Sequence, residues 1–393
     1  ININAGTINS ANGNNTGMIN IFGGAYFNIT GTFTSDGSIV LNPNANITGN
    51  GTLNYNGLIF TNNGNVSLNF LRFGSAANIF GSGVINPFSC TILNTGNLSL
   101  ASNHQFQTIV INSGGLFNLN GYKASFNGTG TVITNNGTIN TANSTVEYNS
   151  ASGQTISTAN INYGNLIVNN PAGTSISGTL NINDTLNILS GFLNLNQNNI
   201  VLGNAGYLRE TSACTVRGTG GTISTTRNLN APEGENIAGL GAAITSAANL
   251  GSTTISRGHT VYTLGGAPGI KRYYNISPAN NTGLNATLTY HYDNYELNGL
   301  NKNFLALYKS TNSGTNWSMQ GGTKDTSNNN ITYSGINSFS YWAASYNSLA
   351  ASVNITAIVD GLFNTQTNTL NKKDSLIVYL RNTSAPFAII DSA

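Results

Sequence analysis

The chain has 393 residues, and only 7% of them are charged, against roughly 25% in an ordinary soluble domain. A hydrophobic content of 39% excludes a disordered chain, and a net charge of +2 without Lys or Arg clusters argues against nucleic-acid binding. No apolar run approaches the roughly 20 residues of a membrane span. Asn, Thr, Ser and Gly disfavour helix interiors, so the composition predicts an all-β protein.

The chain opens on the strand-like ININAGTIN without a signal peptide, as expected for a processed or cropped end of a secreted protein. A glycine-led unit then recurs through residues 1–206. Its copies are GMINI at 17, GTLNY at 51, GNVSL at 64, GNLSL at 96, GLFNL at 115, GTLNI at 178 and GFLNL at 191. Alternation within each unit predicts a short strand with one buried face. A repeat of about 20 residues holding such strands indicates a right-handed parallel β-helix, or β-solenoid, of roughly ten coils.

Residues 1–206 contain only five charged residues, which are Asp36, Arg72, Lys123, Glu147 and Asp184. Coils of a solenoid stack about 4.8 Å apart, so equivalent positions form columns in which like charges would repel. Asn side chains can instead hydrogen-bond from coil to coil. The glycines of the Asn-Gly pairs are expected to supply positive φ at corners between strands. These pairs begin at Asn50, Asn56, Asn63, Asn127 and Asn136.

Residues 207–347 have ordinary charge and longer alternating strands, such as NATLTYHY and NFLALYKST. Seven or eight strands separated by turn sequences predict an antiparallel β-sandwich. Residues 231–252 are predicted to form one short helix or an irregular loop. Residues 348–393 predict a partial β-sandwich or strand-donating tail, too small for a sizeable core.

The stretch GIKRYYNISPANNTGLNATLTYHYDNYELNGLNKNFLALYKSTNSGTNWSMQGGT, followed by GINSFSYWAASY, resembles a module of large secreted surface proteins of Bacteroidota. Those proteins usually place an Asn/Gly-rich β-helix before this sandwich. The tail resembles the opening of a further module, often followed there by a type IX secretion sorting domain. The resemblance implies an extracellular location on a bacterial cell surface and an adhesin-like character, more than any activity.

Three triplets resemble the O-glycosylation signal of that phylum, with acceptors at Thr185, Ser375 and Ser392. The two cysteines, Cys90 and Cys214, lie far apart in sequence. We expect two buried reduced thiols, with a disulfide as the alternative.

No catalytic, cofactor-binding or metal site is predicted. Polysaccharide-degrading β-helices need clustered carboxylates with a basic partner, whereas Glu147 and Asp184 have none nearby in sequence. Glu233 and Glu235 are expected in an exposed loop. The single histidines His104, His259 and His291 lack a second ligand at metal-binding spacing, so they are expected to be structural.

STNSGTNW at 310–317 resembles an Asp-box, with Asn312 in the usual Asp position, and predicts a hairpin turn rather than catalysis. Tyr290, Tyr292 and Tyr295 could form an exposed aromatic row that stacks on a sugar, although alternate tyrosines are more often half-buried sheet residues.

The sequence thus predicts a non-enzymatic extracellular structural protein, a rod-like subunit of a surface filament or adhesin. Self-association would be head-to-tail, through the solenoid ends and the C-terminal strands. The alternative is a carbohydrate- or host-binding adhesin module on a stalk, recognised by its aromatic row.

Overall fold

The computed structural model describes residues 1–346, 363–364, 366–370, 379–381 and 389–392. The chain divides into two units, 1–348 and 349–393. With 57% strand and 3% helix, the protein is all-β, as predicted.

Strands of the stacked coils run from the first residues to Arg217. In chain order they are β1 (Asn2–Ile3), β2 (Thr7–Asn15), β3 (Ile19–Ile21), β4 (Tyr26–Ser35), β5 (Ile39–Leu41), β6 (Asn46–Tyr55), β7 (Ile59–Asn62), β8 (Asn65–Phe73), β9 (Ala76–Phe80), β10 (Val84–Ile85), β11 (Ser89–Ile92), β12 (Asn97–Leu100), β13 (His104–Phe106), β14 (Ile109–Ile111), β15 (Leu116–Asn118), β16 (Lys123–Phe126), β17 (Gly130–Thr131), β18 (Ile133–Asn135), β19 (Thr138–Asn140), β20 (Thr145–Tyr148), β21 (Gln154–Ile156), β22 (Asn162–Tyr163), β23 (Asn165–Ile176), β24 (Leu180–Ile182), β25 (Thr185–Asn194), β26 (Ile200–Leu202), β27 (Tyr207–Arg209) and β28 (Thr215–Arg217).

Longer strands follow in the second half. They are β29 (Thr222–Asn230), β30 (Glu233–Asn236), β31 (Ala242–Thr245), β32 (Asn249–Gly258), β33 (Thr263–Leu264), β34 (Ala267–Pro268), β35 (Tyr273–Pro278), β36 (Ala286–His291), β37 (Leu305–Ser310), β38 (Ser318–Gly321), β39 (Thr323–Asp325), β40 (Asn330–Ile336) and β41 (Tyr341–Tyr346). Short 3₁₀ turns lie at Ile237–Gly239, Asn294–Leu297 and Lys302–Phe304. No described helix is long and apolar enough to cross a membrane.

The predicted β-solenoid is confirmed, with about 11 turns of parallel stacked strands. One face is the eight-stranded sheet β1-β3-β5-β7-β9-β12-β15-β19. Longer strands bend around a corner, so β8 pairs with β10 through Val66 and with β11 through Leu71. The backbone N–H and C=O groups of each coil therefore hydrogen-bond to the neighbouring coil.

Stacking converts the glycine-led repeat into apolar columns inside the solenoid. Inward positions of successive coils lie opposite one another and are buried. One column is Ile19, Ile39, Phe60, Ile79 and Leu100. A second is Phe33, Leu53, Leu71, Cys90, Ile109 and Ile133. Cys90 is thus one apolar member of a column, and burial raises the pKa of its thiol to about 12.

Asparagine side chains do join neighbouring coils, mostly through backbone carbonyls. Direct amide pairs occur where Asn28 donates to Asn9 at 2.7 Å and Asn42 donates to Asn20 at 2.9 Å. Elsewhere an amide such as Asn69 donates to the carbonyl of the preceding coil, here Asn50, at 2.9 Å. The predicted hydrogen bonding between coils is confirmed, although a continuous Asn column does not form in the described coils.

The role predicted for the Asn-Gly glycines is wrong. Gly51, Gly57, Gly64, Gly128 and Gly137 do not have positive φ. A Cβ on any of them would instead overlap a carbonyl oxygen of the coil before, which for Gly64 is the oxygen of Ala45. Positive φ in the coils occurs at asparagines such as Asn44 and Asn143 and at other glycines such as Gly24 and Gly114. Glycine is therefore selected by close approach between coils.

The solenoid merges with the sandwich through one shared strand. Parallel pairing continues past residue 206, and β29 pairs with β26 in parallel and with β32 antiparallel. β29 therefore ends the solenoid sheet β22-β24-β26 and begins the sandwich sheet β29-β32-β35-β41-β37-β38. Most buried apolar residues form one continuous core from Ile3 to Ala344, and a small separate cluster includes Leu264, Tyr273 and Tyr308.

The second sandwich sheet is β30-β31-β36-β40-β39, also antiparallel. It includes two short strands, β30 and β31, from the stretch predicted as one short helix or an irregular loop. Residues 231–252 instead form β30, a 3₁₀ turn and β31, followed by the start of β32. Exposed Glu233 and Glu235 lie on the edge strand β30.

Only short hairpins are described in the second unit. β42 (Phe363–Asn364) pairs with β43 (Thr369–Leu370), and β44 (Tyr379–Arg381) pairs with β45 (Ile389–Ser392). Ser392 closes the last of these strands, while Ser375 lies outside the described residues.

We expect Gly64→Ala to destabilise the solenoid by about 1–3 kcal/mol, the usual cost of forced overpacking. Gly17→Ala is the matched control, because a Cβ there would meet no atom within 4 Å. Thermal melts followed by circular dichroism compare the two variants. Equal melting temperatures would show that close approach between coils does not select glycine at this position.

Candidate functional site

The joint between the last coil and the sandwich contains a cluster of buried ionisable side chains. The last coil contributes Glu210, which follows β27, and the sandwich contributes Arg257, Arg272, Asp293 and Glu296. Both arginines are only 1% exposed. Burying unpaired charges would cost several kcal/mol each, so their partners decide whether the joint is stable.

Arg257 forms a two-pronged ion pair with Glu210. Its Nη1 lies 2.6 Å from Glu210 Oε2 and its Nη2 lies 2.8 Å from Glu210 Oε1. Burial disfavours the charged guanidinium, but the Glu210 carboxylate more than compensates and raises the pKa of Arg257. Because 47 residues separate the partners, this pair fastens the solenoid to the sandwich.

Arg272 is held by two carboxylates of one short segment. Its Nη2 donates to Asp293 Oδ2 at 2.9 Å, and its Nε lies 2.7 Å from Glu296 Oε2, close but poorly aligned for a hydrogen bond. Glu296 Oε2 also accepts from the backbone N–H of Asp293 at 2.8 Å, which closes the turn between them. Burial alone would raise the pKa of Glu296, but Arg272 and its other partners lower it to about 2.

His259 lies beneath this cluster, with its Nδ1 3.3 Å from Glu296 Oε1. Burial outweighs that neighbour and lowers the pKa of His259, so the ring is neutral near pH 7. The predicted structural role fits this position, and no group of three His, Cys, Asp or Glu side chains in the described part of the chain could hold a metal ion.

A second set of contacts ties the same joint together. Tyr295 Oη donates to the carbonyl of Val216 in the last coil at 2.9 Å. The guanidinium of Arg217 lies 4.9 Å from the Tyr295 ring centre and 5.0 Å from that of Phe192. Such stacking adds a cation–π contribution to the ion pairs.

Tyr290, Tyr292 and Tyr295 do not form an exposed row, one of the two interpretations that the sequence allowed. Tyr290 and Tyr292 are fully buried, and Tyr290 donates its hydroxyl to the carbonyl of Arg272 while packing edge-on against Tyr274. Tyr295 is half-buried and hydrogen-bonds across the joint to the carbonyl of Val216. Side chains alternate between the two faces of β36, and Tyr290 lies on the face that packs into the core of the sandwich.

The Asp-box-like segment forms a turn between β37 and β38, as predicted. Asn312 Oδ1 accepts from the backbone of Asn316 at 2.8 Å, and Trp317 Nε1 donates to Gly314 at 2.9 Å. The Trp317 ring packs 5.0 Å from Tyr262.

Glu147 does have a basic partner, contrary to the sequence-based expectation. Stacking of β16 on β20 brings Lys123 Nζ to 2.7 Å from Glu147 Oε2, and Ser125 and Asn169 donate hydrogen bonds to the same carboxylate.

Among the remaining predicted residues, Thr185 is half-buried at the start of β25. Both cysteines are free thiols; Cys90 is buried, and Cys214, partly exposed, donates to the carbonyl of Leu189 at 3.6 Å.

A cavity of about 600 Å³ opens beside the ion-pair cluster. One wall is residues 207–212 of the last coil, and the other is formed by sandwich residues that include Asn236, Gly241, His291 and Asn329. Sequence reasoning missed this site because its parts come from distant segments. The available signals were charged residues at inward positions of apolar strands, as in TTISRGHTV, and the D-x-x-E pattern at 293–296.

No protein-family model, curated protein or solved structure matches the chain. The role of the joint therefore has to be argued from its own geometry.

We expect Arg257→Met to lower the free energy of unfolding by about 3–5 kcal/mol, because it leaves Glu210 unpaired in a nearly buried position. Lys324→Met is the control, since Lys324 is exposed on the edge strand β39 and forms no ion pair in the described part of the chain. Adding Glu210→Gln to Arg257→Met should recover part of the loss in denaturant titrations. If Arg257→Met lowered the free energy of unfolding no more than Lys324→Met, the ion pair would not be stabilising the joint.

Stability should fall in two steps on acidification. Burial lowers the pKa of His104 from 6.5 to about 4, so between these values the unfolded chain binds a proton that the native chain does not. Glu296, lowered from 4.5 to about 2, adds a second loss below pH 4.5. Melting temperatures measured across pH should show both steps, with a shallower first step in His104→Phe. A stability maximum at or below pH 4.5 would contradict this assignment.

Proposed function

We propose that this chain is a non-enzymatic extracellular structural protein, a stiff rod-like subunit of a surface filament or adhesin. The observation that carries the proposal is the joint, where strand β29 is shared between solenoid and sandwich. A shared strand and buried ion pairs across the same boundary leave no flexible linker. Such a connection suits a protein that transmits position or force along its length.

The surface of the solenoid supports the same role. In the described residues before 206 the only ion pair is Lys123–Glu147, and polarity is supplied mainly by amides and hydroxyls. These groups hydrogen-bond from coil to coil, so each turn is held by its neighbours. Low charge density also avoids the strong salt dependence of ion-paired surfaces.

The ionisable groups at the joint behave as partners of one another. Burial opposes ionisation, but His291 and Arg272 lower the pKa of Asp293, and Arg272 with its neighbours lowers the pKa of Glu296, so both carboxyls are ionised at neutral pH. An ionised carboxylate locked to an arginine is a poor proton donor. This supports a structural reading of the cluster over an acid–base one.

Assembly is proposed to use the first coil. β1 and β2 each pair on one side only, with β3 and β4. Ile8 heads the buried column that continues as Phe27, Ile47 and Val66, yet it is 41% exposed. Whatever lies next along the rod, a preceding segment or another copy, would cover this residue and pair with these strands.

The alternative of a sugar-binding row at Tyr290–Tyr295 is not favoured, because those rings are committed to the core and the joint.

Negative-stain electron microscopy of the full natural protein at the surface of its source cells tests the proposal. We expect filaments in wild type and their loss in Ile8→Lys, because the lysine would place a charge on the end of an apolar column. Val261→Lys is the matched control, being equally exposed at 41% but on the sandwich.

Two results would count against the proposal. Absence of filaments and of surface labelling in wild type would remove the structural role itself. Filaments that persist in Ile8→Lys would mean that the subunits do not join through this end.

A further inference from the structure

The geometry points to the cleft at the joint as a binding site for a neutral sugar, either a monosaccharide or one ring of an oligosaccharide. This inference does not depend on filament assembly. It rests on the cavity between residues 207–212 and the sandwich, and on the side chains that line it.

Size and position suit a small polar ligand. The cavity of about 600 Å³ lies within the roughly 300–1,000 Å³ typical of small-molecule sites, which often occur where two substructures meet. A second hollow of about 280 Å³ shares Asn236, Gly241 and His291 with it, so the cleft continues along the sandwich. A ligand longer than one ring could extend into this second hollow.

The floor of the cleft is rigid. Arg257 and Arg272 are buried there and held by carboxylates on both sides of the joint. Gly241 has a φ of 92°, and a Cβ on it would meet Tyr274 Oη and Arg272 Nη1 at 2.4–3.0 Å. Glycine here lets the backbone lie directly on the arginine, which keeps the cleft open. Binding would therefore require little reorganisation.

Several lining groups keep hydrogen-bonding capacity. Asp293 uses Oδ2 for Arg272, while its Oδ1 lies 3.8 Å from His291 Nε2, too far for a hydrogen bond. Asn236 uses its Oδ1 to accept from the backbone of Gly241 at 2.7 Å, which orients its amide nitrogen. Acceptors and a donor thus line the same cleft.

The ring of Tyr207 adds an aromatic surface to the lining of the cleft. Tyr207 begins β27, is 42% exposed, and lies against Gly239, where a Cβ would come within 2.9 Å of the ring. Its face can cover the apolar C–H side of a pyranose while polar groups bind the hydroxyls. Tyr207 therefore takes the place that the sequence had suggested for Tyr290–Tyr295.

Charge balance favours a neutral ligand. Three guanidinium groups, Arg209, Arg257 and Arg272, meet three carboxylates, Glu210, Asp293 and Glu296, and His259 is neutral. The charges balance, which favours a neutral ligand over a phosphate or carboxylate. Hydroxyl groups both donate and accept, so a sugar can satisfy Asp293 and Asn236 together, with a charge-assisted bond to the carboxylate.

Titration calorimetry of the full chain against glucose, galactose, mannose, N-acetylglucosamine and their short oligomers tests this site. We expect millimolar or tighter binding to at least one of them, weakened about tenfold by Tyr207→Ala through loss of ring stacking. Tyr207→Phe should bind nearly as wild type. Tyr122→Ala, which removes a comparably exposed ring (38%) from the solenoid, should bind as wild type.

Three outcomes would overturn the inference. The first is no binding by any sugar of the panel at millimolar concentration. The second is binding that Tyr207→Ala leaves unchanged while circular dichroism shows a folded variant, since the sugar would then occupy another surface. The third is displacement of the sugar by inorganic phosphate, which would show that the cleft recognises anions.

Discussion

Hydrogen bonding between stacked coils is the constraint on which the rest of the structure depends. Each coil lies one strand spacing, about 4.8 Å, from the next, so a side chain at any position meets its equivalent above and below. Apolar positions become continuous columns, as from Ile19 to Leu100. Charges cannot repeat in such columns without repulsion, which explains why residues 1–206 are almost uncharged.

The same constraint decides how much the sequence can predict. The spacing of about 20 residues indicated the solenoid correctly, because Gly37 lies on Gly17 and Gly57 lies on Gly37 in successive coils. The prediction that the glycines of the Asn-Gly pairs have positive φ was wrong. A local sequence pattern suggests a turn, but it does not reveal contact with a carbonyl group of a coil some 20 residues away. For the same reason the sequence could not pair Lys123 with Glu147, which only the register of β16 and β20 brings together.

The joint was still less predictable. Glu210 and Arg257 are 47 residues apart, and their pairing depends on β29 leaving the solenoid and reversing into β32. Tyr290 illustrates the opposite error: its spacing suggested an exposed row, but the packing of the two sandwich sheets turned it inward. Local patterns therefore specify strands and columns here, whereas functional geometry arises from contacts between segments that share no local signal.

The proposed stiffness and the proposed sugar binding would have a common origin in this joint. Where solenoid and sandwich share a strand, charged residues of both parts are buried away from solvent. The ion pairs of Arg257 and Arg272 offset the cost of burying these charges. The side chains that complete those pairs, among them Asp293, then border a cleft with unfilled hydrogen-bonding capacity. The rigid connection would also hold the polar cleft in a fixed shape, so under both proposals one region of the chain would serve structure and binding.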